Sequence, residues 1–116
     1  MMRDRSVLAP VAVLAAIVAV ASAQTSSAAE DSSHALTLGD SSFSPNTLAV
    51  PSGVKIRLTV RNARKVPAEF ESNDLNREKV IAPGTSAVVY IGPLQPGSYS
   101  IFDDFNASTR GTIVAK

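Results

Sequence analysis

The chain has 116 residues, with 11 basic and 10 acidic side chains, one histidine and no cysteine. That balance leaves no basic footprint for nucleic acid or anionic lipid. The lack of cysteine excludes disulfides, a thiolate nucleophile and a lipoprotein anchor. The length suits one small domain whose stability must come from packing.

Arg3 and Arg5 precede an apolar run from Val7 to Val20, and Ala21-Ser22-Ala23 stands before Gln24. A basic head, an apolar middle and a small-x-small ending predict a cleavable secretory signal over residues 1–23. A retained anchor is the alternative, but the run is shorter than the roughly 20 apolar residues a bilayer needs. Asp4 between the two arginines rules out a twin-arginine signal. No later segment is long and apolar enough to span, so no membrane insertion is expected after cleavage. Losing Arg3, Arg5 and Asp4 leaves nine basic and nine acidic residues, a formally neutral product. Residues 24–33 (QTSSAAEDSS) are small, polar and aperiodic, and read as a flexible linker to a domain over 34–116.

From His34 onward short strands are punctuated by Gly and Pro. His34–Leu38 is the first. Ser44-Pro45-Asn46 turns the chain into Thr47–Val50, and Pro51-Ser52-Gly53 turns it again. Val54–Arg61 alternates, with Ile56, Leu58 and Val60 on one face and Lys55, Arg57, Thr59 and Arg61 on the other. Pro83-Gly84 leads into Thr85–Ile91, Pro96-Gly97 into Ser98–Phe102, and Arg110–Ala115 closes the domain. The pattern predicts an all-β Greek-key sandwich of about seven strands, with a short helical turn near Asp74–Lys79 capped by Asn73 or Asp74.

Ala68–Gly84 (AEFESNDLNREKVIAPG) departs from this plain alternation, because charge overtakes it. Glu69 and Glu71 are two apart, so on a strand they share a face while Phe70 points to the core. Two such carboxylates repel unless a cation or a basic partner lies between them. Glu78 and the acidic knot Asp103-Asp104 would reach the same end of a Greek key. A hard cation such as ferric iron suits oxygen ligands, and Cu(II) accepts oxygen and nitrogen. The competing reading is a surface ion-pair network with Arg61, Arg64, Lys65, Arg77 and Lys79. The loop Asn62–Pro67 is a solvated basic turn or a docking patch. Asn106-Ala107-Ser108 fits a glycosylation acceptor, a triplet common by chance. No nucleophile–base pairing is evident, so the protein is not expected to be an enzyme.

Several segments together resemble a known family: Phe43-Ser44-Pro45-Asn46-Thr47-Leu48, Val60-Arg61-Asn62, Glu69-Phe70-Glu71-Ser72, Arg77-Glu78-Lys79, Gly92-Pro93-Leu94 with Pro96-Gly97 and Tyr99, and Phe102-Asp103-Asp104-Phe105 with Gly111-Thr112. They are similar to the EfeO-type cupredoxin-like domain of bacterial periplasmic iron uptake. The resemblance implies a cupredoxin-like fold and a periplasmic location. It strengthens the reading of the carboxylates Glu69, Glu71, Glu78, Asp103 and Asp104 as holding an iron or copper ion. The implied partners are an inner-membrane iron permease and periplasmic iron-binding proteins, with Arg64, Lys65 and Arg77 available for docking. The alternative is a metal-free interaction module of the same uptake system. Type 1 copper is excluded, since it needs a cysteine thiolate and two histidines, and His34 is the lone imidazole. His34 itself reads as a polar residue at a strand entrance. Relatives often place a histidine after the FDDF motif, where this chain has Asn106.

Overall fold

The computed structural model describes residues 12, 15–19 and 32–116, and the predicted signal (1–23) and linker (24–33) lie for most of their length outside them. Nine strands follow in order: β1 (Ser32–Leu38), β2 (Phe43–Ser44), β3 (Thr47–Val50), β4 (Ile56–Asn62), β5 (Ala68–Ser72), β6 (Arg77–Ile81), β7 (Ser86–Ile91), β8 (Gly97–Asp103) and β9 (Asn106–Ala115). They form a sheet ordered β2-β1-β4-β7 and a second ordered β3-β9-β8-β5-β6. The pairings β1–β4 and β3–β9 are parallel, and the others are antiparallel. The all-β sandwich expected from the sequence is therefore observed.

Period-two alternation makes this fold. In β4, Ile56, Leu58 and Val60 are fully buried and the residues between them face outward. They meet Phe70, Ile81, Ile101 and Ile113 of the facing sheet in one core. Phe43 and Phe70 cross it edge to face, with ring centroids 6.4 Å apart. Each such buried side chain contributes roughly 1.5–3 kcal/mol relative to exposure, which is how a domain without disulfides holds together.

Two elements were not foreseen. β2 is two residues long, too short for a period to show. β6 carries Arg77-Glu78-Lys79-Val80 exposed, so it has no apolar alternation, yet it pairs with β5 along its whole length. That pairing corrects the helical turn expected near Asp74–Lys79. Residues 73–76 instead form the β5–β6 hairpin turn, closed by Asn76 N donating to Asn73 O at 3.2 Å. Asn76 takes φ 52°, the left-handed conformation that asparagine tolerates, and Leu75 N donates to Ser72 Oγ. Asp74 accepts from Ser100 N at 2.7 Å instead of capping a helix.

One end of the sandwich carries the features that matter for function. Asn62, fully buried, donates from its amide to Val66 O and Ile81 O and accepts from Arg64 N. This pins the β4–β5 loop, residues 63–67, against the mouth of the core. The β8–β9 turn closes the same end. Its register breaks at Phe102/Asp103: Phe102 pairs with Arg110, whereas Asp103 pairs with Asn106. The extra residues on β9 form a bulge, and Thr109 beside it is buried in the same alternation as Gly111, Ile113 and Ala115.

Candidate metal centre

Glu69 and Glu71 project from the outer face of β5, half-buried, while Ala68, Phe70 and Ser72 between and beside them are buried. The chain pairs Phe70 with Asp103 and Glu71 with Phe102, which brings the β8–β9 turn alongside β5. Asp104 N donates to Glu69 O at 2.9 Å, and the Asp104 side chain joins the two glutamates. One oxygen from each of Glu69, Glu71 and Asp104 lies within 4.8 Å of the others. Three anionic groups at that spacing match the donor set of a hard cation.

The electrostatics are unrelieved. Among the described residues, the Arg64–Asp103 pair is the one salt bridge, and no basic side chain reaches the three carboxylates. Glu71 Oε2 is screened from solvent and has no hydrogen-bond partner among the described residues. Burial pushes the carboxyls of both Glu69 and Glu71 above the ordinary carboxylate value, and the neighbouring charge of Asp104 adds to the shift in each. Smaller contributions come from Glu78 and Asp103 at Glu69, and from Glu69 and Glu78 at Glu71. An unpaired buried oxygen inside a cluster of one sign is costly to fold around. A cation would relieve both penalties.

Of the five carboxylates expected at a metal, the structure brings three together. Glu78 faces Glu71 across the β5–β6 pairing but is exposed and outside the close triad. Asp103 has a different role. It is fully buried, its Oδ2 accepts from Arg64 Nη1 at 2.7 Å, and its Oδ1 accepts from Glu69 N and Phe105 N. Both oxygens are thus held by protein donors, so Asp103 is not available as a ligand.

Arg64 likewise leaves the docking patch in which the sequence placed it. It is 7% exposed, and besides Asp103 its guanidinium donates to Gly39 O, Asp40 O and Thr109 Oγ1. Lys65 is exposed, and Arg77 spans the two sheet edges by donating to Tyr90 O at 2.9 Å. The broad ion-pair network therefore reduces to one buried pair among the described residues. Thr109 and the Gly39–Asp40 carbonyls were missed, because nothing local marks partners 45 and 25 residues from Arg64. His34 pairs with Leu58 in the middle of β1–β4, contacts Ser32 Oγ and takes no part in the triad. Asn106 accepts from Ser108 Oγ at 2.8 Å.

A model of the cupredoxin-like domain matches residues 11–115. The chain belongs to the cupredoxin-like domain family. An uncharacterized protein of Rickettsia prowazekii (strain Madrid E) is 45% identical over 80 residues, covering 68% of this chain. The chain spans 64% of the length of that relative. Among solved structures, a chain of a heme-copper terminal oxidase dimer superposes with TM-score 0.63 at 16% identity, over 75% of this chain and 66% of that one. Auracyanin from Roseiflexus castenholzii gives TM-score 0.62 at 14% identity, over 74% and 98%. The metal-binding domain of the Streptococcus pneumoniae D39 Cu(I)-exporting ATPase CopA, solved with Cu(I), gives 0.61 at 12%, over 72% and 84%. At these identities the structural likeness concerns the fold.

Type 1 copper does not fit this cupredoxin-like domain. The chain has no cysteine, both methionines stand at positions 1 and 2, and the single histidine lies away from the acidic end. An all-oxygen triad suits a hard or borderline cation instead.

Proposed function

We propose that this protein is an exported, EfeO-type cupredoxin-like accessory that binds iron or copper through Glu69, Glu71 and Asp104. It presents the ion to an inner-membrane iron-uptake permease in the periplasm. The observation that carries the reading is the convergence of three carboxylates with no cationic partner among the described residues, one oxygen of which is buried and, among the same residues, unpaired. The family's motifs around residues 69–79 and 102–105 support the iron-uptake setting, and the N-terminal signal pattern supports export. The fold also holds metal elsewhere, since the CopA domain was solved with Cu(I). The donors here are carboxylates, so Fe(III) or Cu(II) is favoured over the softer Cu(I). The same reading makes the protein a carrier of its ion and not an enzyme.

The test is metal-dependent melting of the purified protein with Fe(III), Cu(II) and a Ca(II) control. A cation that binds only the folded state at a hundredfold excess over its Kd adds about 2.7 kcal/mol. For a domain of this size that is on the order of 10–20 °C in Tm. The shift should come with one ion per chain and vanish in Glu69→Gln and Glu71→Gln. Absence of any shift with all three ions would leave a metal-free docking module.

A further inference from the structure

Outside the triad, the buried Arg64–Asp103 pair holds a dense set of hydrogen bonds. Its connections reach both carriers of the triad. Asp103 Oδ1 accepts from the backbone of Glu69 at 2.9 Å, on β5, and from the backbone of Phe105 at 3.0 Å, in the β8–β9 turn. Asp104 sits between Asp103 and Phe105, and its own N–H returns to Glu69 O. One carboxylate therefore fastens the Glu69 strand to the turn that presents Asp104. Arg64 in turn holds that carboxylate through Nη1, while Nε and Nη2 bond Gly39 O and Asp40 O at 2.7 Å and Thr109 Oγ1 at 3.0 Å. All of the N–H directions of the guanidinium that these bonds use are spent on fixed atoms of the β1–β2 loop, the bulge of β9 and Asp103.

We infer that Arg64 and Asp103 are positioning residues for the candidate cation site: their buried ion pair locks the β8–β9 turn onto β5 so that Asp104 meets Glu69 and Glu71 at ligand spacing. This rests on the metal-binding reading above. Partners that orient ligands from behind set metal affinity without touching the ion. The pair also leaves the triad its full negative charge, because Arg64 is neutralised by Asp103 and not by the ligands. Folding alone would be served as well by apolar residues at these positions, since a buried ion pair gains little net stability over a well-packed apolar replacement.

The experiment titrates Cu(II) alone, and Fe(III) alone, into the wild-type protein, Asp103→Asn and Arg64→Lys by calorimetry, with electron paramagnetic resonance of the Cu(II) forms. Val60→Ala, a core truncation on the opposite sheet, serves as a control that lowers stability without touching the turn. Each variant is read well below its own Tm. Asp103→Asn is expected to weaken binding about 10–100-fold and to change the Cu(II) spectrum, while Val60→Ala binds and looks like wild type. Arg64→Lys keeps the charge but loses the fork of donors, and it should weaken binding too; it decides the matter if Asp103→Asn does not fold. Wild-type affinity and spectrum in both variants would overturn the positioning role and leave the site standing. No binding by the wild-type protein would overturn the site, and the positioning role with it.

Discussion

Glu69 and Glu71 hold their protons to higher pH in the fold than as free carboxyls, because burial and then the Asp104 charge disfavour the ionised forms. A raised folded pKa means that stability from these groups is fully present below the unfolded value and is lost as pH rises through the folded one. The metal-free protein should therefore gain from these two residues on acidification from neutral pH into the carboxylate range. Glu69→Gln and Glu71→Gln should melt higher than wild type at pH 7 and converge with it at low pH, which differential scanning across pH will show. Bound metal reverses the slope, since protons compete for the same oxygens. Asp103→Ala removes the counter-ion of the buried Arg64 and should cost about 3–5 kcal/mol in urea unfolding.

The β8–β9 hairpin brings Asp104 to the two glutamates of β5, and it depends on close packing behind it. Gly111 lies against β2 and β8, where an added Cβ would stand 3.0 Å from Asn46 O, 3.2 Å from Phe43 Cδ2 and 3.3 Å from Ile101 Cδ1. The nearest of these is backbone, itself held by Thr112 N donating to Asn46 O, and cannot yield as a side-chain tip does. Gly111→Ala should therefore destabilise by about 1–3 kcal/mol, measured by denaturant midpoint. The β5–β6 hairpin makes a milder demand through the positive φ of Asn76. Asn76→Ala should cost roughly 1 kcal/mol there, and Asn76→Gly almost nothing. Element periodicity was legible wherever one face is buried, as in β4. It was illegible in β6, where a solvated edge strand takes its conformation from pairing with β5 and not from any pattern of its own.

At the scale of the whole molecule, the two sheets leave one end where a loop and a turn from distant parts of the chain meet. That is where acidic residues gather and where the buried Arg64–Asp103 pair lies. The sequence by itself determined the all-β class, because alternating Val, Ile and Leu between Gly and Pro turns can bury its apolar face only as paired sheets. It also determined that type 1 copper is impossible, since the required side chains are missing from the chain. It placed Glu69 and Glu71 on one face, because side-chain direction in a strand follows from parity alone. Only the tertiary structure separated Asp104 from Asp103, adjacent in sequence and opposite in role. A bulged turn directs one carboxylate outward to the glutamates and the other inward to Arg64, and which way each points depends on a guanidinium 39 residues away. Composition could count the charges, but pairing depends on distances set by packing.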